Sequence, residues 1–482
     1  MTSKPPAQPP LHGFQIFLKL WASQGVSALG SAVAWFSLTI YLAQTLYPLP
    51  AQRPELALGL ALLGLSGGLP ALIAVPIAGV WADRADRRRT MLACDLLSGA
   101  LALLTAFLML RGWLPLWGLL VVSVLTSLLG SFHGTAFDTT YSTLVGTEQL
   151  PRANGLMQTM WSLSGLLAPA LAALLIAVSG GVPLALAVDG LSFWLAAGVL
   201  WRLRLPSPKL PSTELPGSKL SSPGSPGAAP IARPFRQDLT FGWRYILARP
   251  PLLTLLLTLA AVNFAWSPLQ VFDTLLLKGQ LSADLGAHGL NFQAGLALLS
   301  TLAAAGGLTG GVLISTWGGL KTRRIYGVLL PILIWAAGLA TLGLATGVWL
   351  AAASMFVLNL IGPVMNAHLQ AIWQAQVPSE LQGRVFSVRR LIAQFTSPLS
   401  VALAGVLASR FPVGSLLIAL AALLTTLVLV QLFNSALRRV EDREYLEGLA
   451  RKRRADQAES VQWYRTVPPR LAVSRMPNPA RL

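Results

Sequence analysis

The chain is predicted to be an all-α polytopic membrane protein with about twelve transmembrane helices, and three observations carry that prediction. Of its 482 residues, 54% are hydrophobic and 11% charged, and mean hydropathy is +0.62; so few polar groups cannot cover a water-soluble globule. The apolar residues gather in stretches of roughly twenty, the length a helix needs to cross a hydrocarbon core of about 30 Å. The Lys and Arg residues behind the net charge of +18 stand between and beyond those stretches. That is the distribution of a many-span protein, and it argues against a nucleic-acid surface.

Spans are expected near Phe14–Leu42, Leu56–Trp81, Thr90–Leu110, Leu114–His133, Asn154–Val178 and Pro183–Leu203. Six more are expected near Leu252–Leu277, Phe292–Trp317, Tyr326–Ala345, Val348–Ile372, Leu391–Ala408 and Val413–Leu432. Residues 1–13 are polar and Pro-rich and have no short apolar core before a small-residue cleavage site, so the first span is expected to be retained. A six-helix bundle at 14–204 and another at 250–437 flank a linker, 205–249, whose first part is rich in Pro, Ser and Gly and lacks apolar periodicity. Within it, Asp238 to Arg249 places Phe241, Tyr245 and Ile246 near one face. It reads either as an interfacial helix or as an extension of span seven. The tail, 438–482, opens with dense charge and reads as a solvated helix within reach of anionic lipid headgroups.

Charge sets the expected orientation. Arg84, Arg87, Arg88 and Arg89 follow span two, Arg152 precedes span five, Lys321, Arg323 and Arg324 follow span eight, and Arg384, Arg389 and Arg390 precede span eleven. The opposite loops hold isolated charges such as Arg53, Arg111, Lys278 and Arg410. Both termini and the linker should therefore be cytoplasmic, in a multi-pass protein of the cell membrane. The halves repeat: Val145, Glu148 and Arg152 recur as Val377, Glu380 and Arg384, and the same shift of 232 carries Gly79-Val80 onto Gly311-Val312. Two anchors at one offset imply duplicated, pseudo-symmetric halves.

The most specific motif is Gly79-Val80-Trp81-Ala82-Asp83-Arg84-Ala85-Asp86-Arg87-Arg88-Arg89. Gly79 is expected to permit close helix approach, and Asp83 to bind Arg groups and backbone amides, so that the cluster latches the two halves. The plainer alternative is an ordinary basic loop. The run resembles the hallmark loop G-x-x-x-D-R-x-x-R-R of the major facilitator superfamily at every fixed position. Pro151 to Gly155, Val188 to Phe193 and Leu381 to Ser387 are similar to stretches of its efflux branch, which holds enterobactin-type siderophore exporters and macrolide-efflux-like proteins.

The resemblance implies the major facilitator fold and a proton-driven exporter of drugs or amphiphilic metabolites. It places Glu148, Arg152, Glu380 and Arg384 with Gly79, Asp83, Arg84, Arg87 and Arg88 in an inner gate, and makes Asp95 a structural partner of the arginine loop. In span five, Gly165, Ala168, Pro169 and Ala172 resemble an antiporter pattern in which alanines replace three glycines. Small residues around a proline allow tight packing and a bend. The chain departs from the family where relatives carry an acid after the glycine of span one (here Gly30-Ser31), a Pro and an Arg near the end of span four (Thr135, Phe137), and an Asp in the second loop (Ser315).

Polar groups at membrane depth face a cavity or find partners. Gln24, Asn263 and Asn359 fall near mid-membrane, Gln270 further outward, Asn366 and His368 further inward, with Trp266, Trp35, Trp161 and Phe264 interspersed. Such residues line a cavity for a small amphiphilic organic substrate or make interhelical hydrogen bonds worth about 1 kcal/mol each. Asp189, Asp273 and Asp95 are the candidates for proton coupling, and Asp138 is the remaining acid near a span. A lysolipid or lipid flippase, a non-transporting scaffold and a polytopic membrane enzyme are the competing functions. The four histidines are scattered without a His-Glu-x-x-His run and no phosphate-binding Gly-rich loop exists, so no enzyme, metal or cofactor is expected. The single cysteine, Cys94, lies in a span and should serve packing. The expected partners are a small molecule, H⁺ and membrane lipid, with the protein acting as a monomer.

Overall fold

Lipid offers no hydrogen bonds to a backbone, so a chain this apolar must satisfy its peptide groups internally, as helices do. The computed structural model describes residues 13–145, 149–203 and 235–453, and these form helices with no strand among them. The first half comprises α1 (Gly13–Tyr41), α2 (Arg53–Arg84), α3 (Arg87–Leu110), α4 (Leu116–Leu144), α5 (Leu150–Ser179) and α6 (Pro183–Arg202). After α7 (Phe235–Leu247), the second half runs through α8 (Pro250–Trp266), α9 (Leu269–Lys278), the short α10 (Ser282–Ala287), α11 (Phe292–Trp317), α12 (Tyr326–Leu344), α13 (Val348–Gln376), α14 (Ser379–Ala408), α15 (Val413–Phe433) and α16 (Ser435–Arg438). Among the described residues, eleven helical spans are long and apolar enough to cross a membrane. The remaining predicted span is α14, a helix of 30 residues whose apolar part is Phe395–Ala408.

Local chemistry sets the boundaries. Proline occupies the first turn of α2, α5, α6 and α8, where its missing N–H costs nothing. Asp86 and Asn291 cap α3 and α11 by accepting from the backbone N–H of Arg89 (3.1 Å) and Ala294 (2.8 Å). Gly180 and Gly318, at φ 71° and 78°, end α5 and α11 in the left-handed region. Span seven breaks between α8 and α9 because Pro268 cannot donate to the Phe264 carbonyl. Ser400 of α14 donates to that carbonyl instead. In α4, Ser131, Thr135 and Thr139 each turn a hydroxyl back onto the carbonyl four residues earlier, at 2.8 Å, which lets polar side chains sit in an apolar span.

Within the first half, α1 packs on α5 and α6, α2 on α4, and α3 on α4 and α6. Within the second, α11 packs on α13, and α12 on α13 and α15. Close approach needs small residues. A Cβ on Gly306 or Gly310 would lie 2.1 Å from the carbonyl oxygen of Phe356 or Leu360, so α11 and α13 touch backbone to backbone. The halves meet along α2 with α14 and α5 with α11.

The linker helix and the start of the tail both pack against the second half. The segment before span seven is a separate helix, α7, packed on α14 and set off from α8 at Ala248-Arg249. Tyr245 donates to the Gln376 carbonyl at 3.0 Å and stacks under Arg249 at 3.7 Å, and burial pushes its phenol pKa up. The tail expected to be solvated has one buried face. Leu437, Val440, Leu446 and Ala450 are at most 1% exposed, while Arg443 and Glu447 pair on the outer face at 3.3 Å. Glu441 accepts from the Ile325 N–H at 3.0 Å, and Arg453 donates to the Leu247 carbonyl. The Asp442 carboxyl is held below its usual range by the Tyr445 N–H and by Arg439. The alternating hydrophobes in the charge run supply the buried face that the charges concealed. Residues 1–12, 204–234 and 454–482 lie outside the described residues.

Candidate functional site

The helices alternate in direction, so the bundle has two ends. The tail end bears the start of α1, the α2–α3 loop and the residues after α15. The far end bears the loops around residues 41–53 and 278–292. At the far end the halves are joined. Lys278, the last residue of α9, donates to the carbonyls of Ala43 and Tyr47, at the π-helical turn Leu42–Leu46 that ends α1. Gln293 donates to Gln44 at 2.5 Å, Arg53 donates to the Phe411 carbonyl at 3.3 Å, and one level deeper Trp35 donates to Gln270 at 3.3 Å. A cation at the carbonyl-rich end of a helix is favoured by both the hydrogen bonds and the helix dipole.

Toward the tail end the interface opens. A Cβ on Gly405 would lie 2.2 Å from the Ala61 Cβ, one on Gly64 would lie 3.0 Å from Val401, and one on Gly68 would lie 3.9 Å from Pro398. Among the described residues, nothing stands within 4 Å of a Cβ on Gly79. The α2–α14 contact is thus a wedge closed at the far end. On α5, Ala168, Pro169 and Ala172 are buried and Gly165 is exposed, and among the described residues nothing lies within 4 Å of a Cβ on Gly165 or on Gly311 of α11. Among the described residues, none makes the close approach expected at Gly79.

Inside the wedge lies a cavity of about 640 Å³, with Asn263, Trp266, Asn359 and Asn366 in its wall. Gln158 of α5 and Trp335 of α12 add to the wall, with Val262, Gly307, Ile361, Gly362, Pro363 and Met365. Trp266 and Trp335 stack with ring centroids 5.7 Å apart and planes 20° from parallel. Asn359 donates its amide N–H to the Met355 carbonyl at 2.9 Å, which leaves its side-chain oxygen as an acceptor. Pro363 cannot donate to the Asn359 carbonyl. The volume suits a small organic molecule.

The other predicted polar residues lie elsewhere. Gln270 faces Trp35, as above. Gln24 is buried in the first half and donates to Asp95 at 3.1 Å. His368 is 3% exposed, with Nδ1 2.7 Å from the Val364 carbonyl and Nε2 accepting from the Leu320 N–H at 2.8 Å; it pins the loop after α11 instead of facing the cavity. Asp95, fully buried, has His133 Nε2 at 3.1 Å. Asp189 accepts from Ser31 at 3.1 Å, so a carboxylate from span six stands beside the position where relatives carry an acid on span one. Asp273 is 8% exposed and its Oδ1 has no hydrogen-bond partner.

The arginines of the loop serve carbonyls of their own half. Arg87 donates to Ala82 (3.2 Å) and Thr139 (3.3 Å), and Arg88 to Leu200 (3.2 Å) and Trp201. These lie at or near the C-terminal ends of α2, α4 and α6, where cations satisfy orphan carbonyls. Arg152 stacks over Phe14 at 4.9 Å. Glu148 and the side chains of Asp83, Arg84, Glu380 and Arg384 lie outside the described residues. Sequence reasoning missed Lys278, Gln158, Trp335 and His133. Lys278 read as an isolated loop charge, and nothing local to the other three signals their partners.

Known proteins bear on this arrangement. Macrolide efflux protein A of Streptococcus pyogenes is 26% identical over 403 residues, covering 83% of this chain and 90% of that protein. The multidrug efflux pump Tap of Mycolicibacterium fortuitum is 25% identical over 404 residues, covering 80% and 89%. Among solved structures, an inward-facing, unoccupied bacterial homologue of the human lysosomal transporter Spinster matches with TM-score 0.55 at 16% identity, over 92% of this chain and 98% of that one. The nucleoside transporter NupG matches with TM-score 0.58 at 10% identity, over 86% and 98%. The sequence profile of the Major Facilitator Superfamily matches residues 20–401, and the chain belongs to that superfamily.

Proposed function

We propose that the protein exports small amphiphilic organic molecules from the cytoplasm by alternating access, as a monomer and in antiport with protons. The observation that carries this reading is the amide- and tryptophan-lined cavity at the widening interface of two helix bundles. The efflux relatives support the direction. Arg84, Arg87, Arg88, Arg89, Lys321, Arg323 and Arg324 all stand at the tail end, which the positive-inside rule makes cytoplasmic. The conformation is then inward-open, with Lys278 and its neighbours forming the outer seal. In the opposite state, Gly79, Asp83 and Arg84 close the inner side together with Glu148, Arg152, Glu380 and Arg384.

Asp189 leads the proton carriers, because it stands beside Ser31 on the first span; Asp273 and Asp95 follow. A carboxylate must be neutral to cross between states.

The test is drug susceptibility and accumulation in a strain lacking its own pumps. The double variant Asn263→Leu, Asn359→Leu is expected to lose at least about tenfold of the efflux rate at normal membrane levels, since two hydrogen bonds at about 1 kcal/mol each are removed from the bound molecule. Asp83→Asn is expected to abolish efflux at equal expression. Unchanged accumulation in the double variant would remove the cavity from the pathway.

A further inference from the structure

The cavity is unequally shared between the halves. Of its described wall, Gln158 alone comes from the first half; Asn263, Trp266, Trp335, Asn359 and Asn366 all belong to the second. Gln158 is exposed on the tail-end part of α5, and its amide has only a long contact, 3.5 Å, to Ser162 one turn away. Three and seven residues further into α5, Trp161 is 59% exposed and, among the described residues, nothing lies within 4 Å of a Cβ on Gly165. Ala168, Pro169 and Ala172, further along α5, are buried. Gln158 thus sits on the arm of the wedge that travels furthest when the tail end shuts. Asn263 stands on α8, and Asn359 and Asn366 on α13, both helices of the second half.

We propose that the second half alone holds the captured molecule, an uncharged amphiphile, and that Gln158 makes the contact completed only as the halves close over it. The chemistry of the wall sets the ligand class. The described wall offers carboxamides, an acceptor at Asn359 and two stacked indoles, with no carboxylate or ammonium group among the described residues. Neutral hydrogen-bonding groups beside an aromatic face match a molecule with a flat apolar body and a few polar atoms. A contact that forms only on closure contributes to the translocation step and little to initial affinity, by the same logic that separates transition-state from ground-state binding. Gln158 is therefore a positioning residue for closure, and its signature is a split between affinity and turnover.

This inference rests on the export reading above, and the experiment separates the two. The probe is N-phenylnaphthylamine, a neutral aromatic amphiphile. Its affinity for the purified full chain is read by quenching of tryptophan fluorescence, and its turnover by proton-gradient-driven flux in proteoliposomes. Gln158→Leu should change the dissociation constant by less than about twofold and lower the flux at saturating probe by at least about tenfold. Asn359→Leu should weaken binding by about tenfold, and a permanently cationic quaternary ammonium analogue should bind at least about tenfold more weakly than the neutral probe. If Gln158→Leu weakens binding as much as Asn359→Leu, or leaves flux intact, the proposed division between capture and closure fails while export stands. If the wild-type chain neither binds nor moves the probe, the ligand class and the cavity's role in export both fall.

Discussion

Replacing Gly405 with leucine is expected to abolish export while leaving the protein at wild-type levels in the membrane. A Cβ there already lies 2.2 Å from the Ala61 Cβ and 3.1 Å from the Ala57 carbonyl oxygen, both in the other half, so a whole isobutyl group has nowhere to go. Overpacking costs about 1–3 kcal/mol even where neighbours can shift, and α2 and α14 can escape only by parting. The packing inside each half is untouched, so the cost falls on the conformation sealed at the far end. Since about 1.4 kcal/mol is tenfold in a population, the balance should move by tenfold or more toward an outward-open form that cannot return. In a Cys94→Ala background, Phe292→Cys at the far-end vestibule should then react at least about tenfold faster with a membrane-impermeant maleimide. Unaltered labelling with normal efflux would mean that α2 and α14 do not close there during transport.

Lys278→Met should give the second large effect, by subtraction instead of crowding. The ammonium holds two carbonyls of the first half, and hydrogen bonds to charged groups contribute about 1.5–3 kcal/mol each. Removing both costs the sealed state more than the gain from no longer burying a cation. Methionine keeps much of the length and fills the space, so no cavity complicates the result. Spin labels on Pro50→Cys and Ser282→Cys, facing each other across the far end, should shift from a short to a predominantly long distance, and flux should fall at least about tenfold. A distance distribution identical to the parent would show that Lys278 does not fasten the seal.

Much of the fold was legible because bilayer thickness dictates a long apolar run that composition cannot disguise. The hallmark loop and the 232-residue repeat identified the architecture through residues that sit together in the chain. The cavity was partly legible for a related reason: Asn263, Asn359 and Asn366 are conspicuous in apolar helices. Other features depend on which helix faces which, and no local pattern records that. Lys278 looked like a stray loop charge because its acceptors are carbonyls, which every residue has. His133 and Asp95 stand on different helices with nothing to announce their pairing. Trp335 was hidden among the hydrophobes of the most buried spans, and the tail's buried stripe was masked by the arginines and glutamates between its leucines.

The acceptors at the far end have a bearing on how the protein tolerates change. Ala43, Tyr47 and Phe411 contribute peptide oxygens, and no codon change removes a peptide oxygen. That side of the seal can drift in sequence without losing its grip, whereas the matching cations at 278 and 53 are each one substitution from failure. Inherited defects of closure should therefore gather on the donors, and the strand of chain they grasp should be free to vary.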